Sequence, residues 1–306
     1  MKHIKKTILR FQTARWISQL FFFFLLNAII LGVIPVPIVL PILQSSGTPQ
    51  KTVGDAFAAI QNLLYQAIFP WIPLAAFLLV GVFLGRATCS WVCPFGFVQE
   101  MLGYFKRRHI SMALRTHQQM IYVKYVILAI IVLLSSILGA SLALGIGEGY
   151  RSALGGFGEA PFNFVSPADT LFGIIPKMAL DLRYALYAQS IYDILGGISS
   201  LSLLFWVRVA ILGAVIALAV YIPRSWCRYF CPHGAALALL NRFSFLGLKR
   251  EAIKCTKAEC RECVEVCPMK VRILDLPWEK FTDPECIYCL KCVDACHTKA
   301  LKPKFP

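Results

Sequence analysis

Charge and apolar residues alternate along this chain in long blocks. A leader with Lys2, Lys5, Lys6, Arg10 and Arg15 contains no acid, and a run from Trp16 to Ile34 then passes without one charge. Further apolar runs extend from about Phe69 to Gly85, entered through Pro70 and Pro73, from about Tyr122 to Leu144, and from about Leu201 to Ile222. About 20 helical residues cross a hydrocarbon core of roughly 30 Å. The pattern therefore predicts an all-α membrane protein with four transmembrane helices and both termini on one side. A cleaved signal would have an apolar core of about 7 to 15 residues and a small-residue cleavage site. The first run is longer and ends in Pro35, Pro37 and Pro41, which predicts a retained helix.

The charges decide the sides. Arg86, Lys106, Arg107, Arg108 and Arg115 follow the second span, and Arg224, Arg228, Arg242, Lys249 and Arg250 follow the fourth. The stretch from about Ile146 to Ser200 instead carries Glu148, Glu159, Asp169, Asp181 and Asp193 against Arg151, Lys177 and Arg183. Positive-inside counting places both termini in the cytoplasm, as for a multi-pass protein of the inner (cytoplasmic) membrane. An amphipathic segment from about Ala168 to Tyr192 is expected to lie on the membrane surface. Only 15% of residues are charged and 58% are hydrophobic, against roughly 25% charged in soluble domains. The net charge of +15 sits between and after the apolar blocks, so it reads as topology and not as a nucleic-acid surface.

Two segments just past the second and fourth spans repeat one another. Arg86-Ala87-Thr88-Cys89-Ser90-Trp91-Val92-Cys93-Pro94-Phe95-Gly96 matches Arg224-Ser225-Trp226-Cys227-Arg228-Tyr229-Phe230-Cys231-Pro232-His233-Gly234 as an arginine followed by C-x3-C-P-x-G. Two thiols at i and i+4 share one helical face, yet one pair cannot close a four-coordinate site. Cys89, Cys93, Cys227 and Cys231 together could hold an iron–sulfur cluster or a zinc ion; buried, unligated thiols are the alternative. Reducing cytosol argues against disulfides at these positions.

After residue 248 the composition turns polar and eight of the twelve cysteines crowd together. They read Cys255-x4-Cys260-x2-Cys263-x3-Cys267-Pro268, then Cys286-x2-Cys289-x2-Cys292-x3-Cys296-His297. The second run has the spacing of bacterial two-cluster ferredoxins, in which the fourth cysteine of each run ligates the other cluster. That predicts Cys255, Cys260, Cys263 and Cys296 for one 4Fe-4S cluster and Cys286, Cys289, Cys292 and Cys267 for a second. The division is 1–248 for the membrane domain and 249–306 for a small α+β ferredoxin domain. Zinc knuckles use paired C-x2-C units and fit less well. C-x3-C-H at Cys292 to His297 is one residue too long for haem attachment.

None of the five histidines, His3, His109, His117, His233 and His297, lies within an expected span, which argues against an intrinsic haem b. Nor is there a nucleotide-binding glycine motif. Lys124 and Arg208 are the ionisable residues within spans. Lys124 is expected to snorkel to the inner face, whereas the deeper Arg208 either pairs with an outer acid such as Asp193 or belongs to a functional site.

Four spans, C-x3-C-P after the second and fourth, and a tail with two cluster runs resemble the NapH/MauN-type membrane ferredoxins, a group that includes the membrane half of NosR-like polyferredoxins. The resemblance implies a quinol dehydrogenase subunit, with electrons passing between the quinone pool and a partner redox protein. A quinone site is expected near Trp91, Trp226 and His233, with Arg208 a further candidate. A membrane-anchored iron–sulfur sensor or assembly factor is the competing reading. Four helices without an acid in any span fit transport poorly.

Overall fold

The computed structural model describes residues 2–27, 39–40, 42, 54–66, 68–105, 112–154, 166–176, 178, 203–255 and 260–306. Helix α1 (Lys2–Asn27) is followed by two short parallel strands, β1 (Val39–Leu40) and β2 (Gly54–Asp55). Then come α2 (Ala56–Tyr65), α3 (Trp71–Leu84), α4 (Ala87–Trp91), α5 (Pro94–Gly103), α6 (Leu114–Ala143) and α7 (Glu148–Leu154). The helical turns Pro167–Asp169 and Thr170–Ile174 precede α8 (Leu203–Tyr221), α9 (Ser225–Tyr229) and α10 (Pro232–Asn241).

Among the described residues, α6 and α8 are long and apolar enough to cross a membrane. Helix α3 has 14 residues, about 21 Å at 1.5 Å per residue, which falls short of a hydrocarbon core. It is bounded by Pro70 and by Gly85, whose φ of +58° ends the helix. The first expected span is described only as far as Asn27; 28–34 and Pro35, Pro37 and Pro41 lie outside the described residues.

The internal repeat is plain in the elements. A long apolar helix leads into a five-residue helix and then a ten-residue helix in both halves, as α3–α4–α5 and as α8–α9–α10. The halves interdigitate, since α10 packs on α3 and α6 while α8 packs on α5.

Two segments expected on the outer side fold back into this bundle. Asp55 caps α2, accepting from Phe57 N at 2.9 Å and Ala58 N at 3.4 Å, and α2 packs against α3 and α6. In the other half Ala168 and Thr170 are essentially inaccessible, and Ala168 and Phe172 join a core with Phe95, Leu212 and Val215. The expected surface helix from Ala168 is thus corrected for its first turns. Their apolar side meets protein, and Ser166 caps them through Ala168 N at 3.3 Å. The remainder, with Asp181 and Asp193, lies outside the described residues.

The tail forms a three-stranded antiparallel sheet in the order β4–β3–β5, from β3 (Gly247–Arg250), β4 (Lys280–Phe281) and β5 (Leu301–Lys304). Leu248 opposes Phe281, and Arg250 opposes Leu301. Short helices α11 (Glu262–Glu265) and α12 (Lys291–Ala295) carry cysteines against this sheet. Leu248, Val271, Ile273, Phe281, Ile287 and Leu301 make its small core.

Candidate metal centres

In each C-x3-C-P segment the first cysteine lies in the five-residue helix and the second is the extended N-cap of the next helix. The i and i+4 thiols therefore straddle a helix break instead of sharing one continuous helical face. Pro94 and Pro232 occupy the first helical turn, where a missing N–H costs nothing. Cys93, Cys227 and Cys231 are buried and Cys89 is half-buried. Burial pushes the Cys231 thiol well above its usual range, and the neighbouring Cys227, Cys89 and Cys93 push it further. Cys93 and Cys231, one from each segment, share a single buried core. Four thiols from two segments are the donor set of an iron–sulfur cluster, which accepts wider sulfur spacing than the roughly 2.3 Å Zn–S bonds of a zinc site require.

The arginine before each motif serves the opposite half. Arg86 Nη2 donates to the Cys227 carbonyl at 3.1 Å, and Arg224 Nη1 donates to the Cys89 carbonyl at 2.8 Å. Both guanidinium groups are buried. This crossing explains the motif glycines. A Cβ on Gly96 would lie 2.7 Å from the Cys89 carbonyl oxygen and 3.2 Å from Arg224 Nη1, while one on Gly234 would lie 3.1 Å from Arg86 Nη2.

In the tail, Cys255, Cys260, Cys263 and Cys296 line one small cavity, and Cys267, Cys286, Cys289 and Cys292 line another. The fourth cysteine of each run does fall with the other run. Burial raises the Cys263 thiol to about 11, with Cys260, Cys255 and Cys296 adding to the effect. Burial likewise brings Cys267 to about 11 beside Cys289, against backbone N–H donors from Val271, Met269 and Lys270. A ring of N–H donors around sulfur is an environment that stabilises thiolates and tunes cluster potentials. Grouping and surroundings fit iron–sulfur clusters, although Glu262 also lines the first cavity and, with His297, stands within 4.8 Å of Cys260.

The second tail group abuts the first C-x3-C-P segment. Ser90 Oγ donates to the Ile287 carbonyl at 2.6 Å, and Trp91 Nε1 to that of Tyr288 at 3.0 Å. Cys89 and Trp91 pack against the core that holds Cys289 and Cys292. Asn241, fully buried, donates to the Asp283 carbonyl at 2.6 Å and the Cys286 carbonyl at 3.0 Å, and accepts from Arg86 N at 3.1 Å.

Two glutamates complete the frame, and neither was legible in the sequence. Glu100 receives Arg15 Nη1 at 2.6 Å, Arg224 Nη2 at 2.7 Å and Lys291 Nζ at 2.9 Å. Burial disfavours its charge, but Arg224, Arg15 and Lys291 together hold its carboxyl far below the ordinary range. Glu285 pairs with Arg86 at 2.9 Å, with Lys124, and with the Tyr125 hydroxyl at 3.0 Å. Lys124 therefore does not snorkel. It is fully buried, because a carboxylate brought 161 positions along the chain neutralises it in place. Each glutamate joins both repeat halves or the bundle and the tail, a relation with no local spacing to betray it.

Of the expected quinone-site residues, Arg208 meets an acid of the expected outer stretch, Asp169, at 3.5 Å; Asp193 lies outside the described residues. His233 is buried, 3.3 Å from Asp55, with its ring 4.1 Å from that of Phe57. Trp91 faces the tail, and Trp226 stacks near Phe230. The structure distributes these four over separate contacts.

A model of a 4Fe-4S binding domain matches this chain twice, over residues 66–112 and 204–251, the two segments that contain C-x3-C-P. Over 234 residues the chain is 26% identical to an uncharacterized protein of Methanocaldococcus jannaschii, covering 74% of this chain and 76% of that one. It is 25% identical to the regulatory protein NosR of Stutzerimonas stutzeri, over 75% of this chain and 25% of NosR. It is 23% identical to the ferredoxin-type protein NapH of Escherichia coli, over 69% of this chain and 59% of NapH. The match thus spans about three fifths of NapH and a quarter of NosR. No solved structure matches. The chain is also 24% identical to a putative electron transport protein, YccM of Escherichia coli, over 78% of this chain and 59% of YccM; the comparisons thus support iron–sulfur electron transfer, and the chain is related to the NapH- and NosR-like ferredoxin-type proteins.

Proposed function

We propose that this protein moves electrons between the membrane quinone pool and a partner redox protein, as a quinol dehydrogenase subunit. The observation that carries the reading is the gathering of the eight tail cysteines into two groups of four, with Cys93 and Cys231 of the two C-x3-C-P segments packed together into the core of the apolar bundle. In this reading residues 1–248 form the membrane domain, with four spans and cytoplasmic termini, and 249–306 the ferredoxin domain. Cys255, Cys260, Cys263 and Cys296 hold one 4Fe-4S cluster, and Cys286, Cys289, Cys292 and Cys267 the second. Cys89, Cys93, Cys227 and Cys231 hold a third.

When bound, such clusters supply one-electron chemistry, and the protein supplies position and electrostatics. Arg86, Arg224 and Arg228 offset negative charge at the third group, and Arg86 and Arg224 fix its two halves relative to one another. The Ser90, Trp91 and Asn241 bonds hold the tail's second group beside it, which matters because tunnelling falls steeply with distance. Quinone binds in the apolar bundle near the third group.

The test is iron content together with quinol-driven reduction in proteoliposomes. Wild-type protein should carry about twelve irons, the ligand count for three cubanes. Cys93→Ser or Cys231→Ser should each lose about four and stop reduction of the tail clusters by added quinol. Full iron and normal reduction in both variants would refute the third cluster. Wild-type clusters that quinol never reduces would favour a sensor.

A further inference from the structure

Between the tail and the foot of the bundle lies a cavity of about 610 Å3 whose space the electron-transfer reading leaves unassigned, although Cys267 and Arg224 stand on its wall. Its walls include Arg228, His117, Lys270, Arg272 and Lys291, with Tyr104 and Leu114 on the apolar side. Arg228 is 4% exposed. It touches His117 Nδ1 at 3.2 Å and lies over the Tyr229 ring, but among the described residues it has no carboxylate partner and its Nε makes no hydrogen bond. Its negative neighbours Cys267 and Glu285 act on it only through space, and a buried guanidinium without a bonded carboxylate is costly. The acids on the wall do not serve it. Glu100 is held by Arg15, Arg224 and Lys291, and Glu265 forms no ion pair with it. Lys270 donates to a backbone carbonyl, and Arg272 shares only an exposed pair with Asp275.

The cavity's position narrows the ligand. His117 and Leu114 stand in the first turn of α6, and Pro223 follows α8, so the site lies where the two apolar helices end in basic sequence. Tyr104, Phe105 and Leu114 are exposed beside it. A cationic floor under an apolar rim at that level matches an anionic amphiphile, and basic pockets at the cytoplasmic ends of membrane helices bind acidic headgroups. We infer that this cavity binds a phosphate group, with Arg228 as its principal counter-charge and an anionic phospholipid as its source. The inference rests on α6 and α8 spanning the membrane. It does not depend on quinone.

The test uses the full-length, iron-loaded protein in neutral detergent and native mass spectrometry, with titrations of phosphatidylglycerol, phosphatidylcholine and inorganic phosphate. One phosphatidylglycerol per chain is expected, held in preference to phosphatidylcholine, and Arg228→Gln should weaken it about 10- to 100-fold, the worth of a charged hydrogen bond. Retention of inorganic phosphate without lipid preference would keep the phosphate site and reject the lipid as source. If Arg228→Gln loses iron, the rim variant Lys270→Ala with Arg272→Ala decides, and a weaker, more salt-sensitive lipid complex is expected from it. Lipid and phosphate both unbound, or bound equally by wild type and variants, would overturn the inference. Quinol-driven reduction is not the readout, so this result and that of the electron-transfer test stand apart.

Discussion

Replacing Glu100 with glutamine should unlock the whole assembly. The carboxylate is 5% exposed, and it faces Arg15 and Arg224, whose side chains are 0% and 2% exposed, and Lys291 at 26%. Glutamine keeps the shape and one acceptor oxygen but removes the negative charge that these three cations share. Breaking a buried pair by removing one partner costs about 3 to 5 kcal/mol. Lys291 is partly solvated and contributes little of that, since exposed pairs are worth about 0 to 1 kcal/mol. The two buried guanidinium groups therefore set the scale, and about 3 to 5 kcal/mol is a shift of about 100- to 4,000-fold in the folded population. Loss of cluster absorbance on heating reports the change, with limited proteolysis after residue 248 reporting detachment of the tail. Glu279→Gln is the control, because that residue is exposed, and it should move stability by under about 0.5 kcal/mol. If Glu100→Gln unfolds within about 1 kcal/mol of wild type, the ion-pair frame is not what joins N-terminal helix, bundle and tail.

Gly96→Ala should be worse than Gly234→Ala, because its new Cβ meets a backbone carbonyl at 2.7 Å where the other's nearest neighbour, at 3.1 Å, is a guanidinium end; overpacking of about 1 to 3 kcal/mol should appear as lower iron content. Gly85→Ala should fail to accumulate, since its φ of +58° disfavours a side chain and the Cβ would lie 1.9 Å from Asn241 Oδ1. Asn241→Ala removes three buried hydrogen bonds and should cost about 3 kcal/mol at roughly 1 kcal/mol each, measured by denaturant midpoint. Ser90→Ala loses one such bond and should cost about 1 kcal/mol in the same assay.

Much of the candidate site was readable because cysteine spacing is a one-dimensional signal. The crossing of Cys267 and Cys296 between tail groups followed from spacing alone, as did the pairing of the two C-x3-C-P segments. What escaped was set by contacts between distant positions. Positive-inside counting treats acids in cytoplasmic segments as noise, so Glu100 and Glu285 vanished into a sum although each holds buried cations in place. Lys124 misled for the same reason: its depth in α6 was legible, but its partner stands 161 residues away. Asp55 and Asp169 sat in stretches read as outer loop, and polar composition cannot distinguish a loop that stays out from one that turns inward to meet His233 or Arg208. Arg86 and Arg224 were seen as flanking charges; that each crosses to the other half requires the fold.

That exchange of arginines bears on how the protein is made. Until Arg224 and Asn241 have left the ribosome, the Cys89 carbonyl and the Arg86 N–H lack the partners that fix them. The first C-x3-C-P segment must therefore wait in the membrane, unfinished, for its twin. Cluster delivery to it belongs after translation of the second half, and a chain truncated before residue 224 should leave the membrane with two thiols and no site.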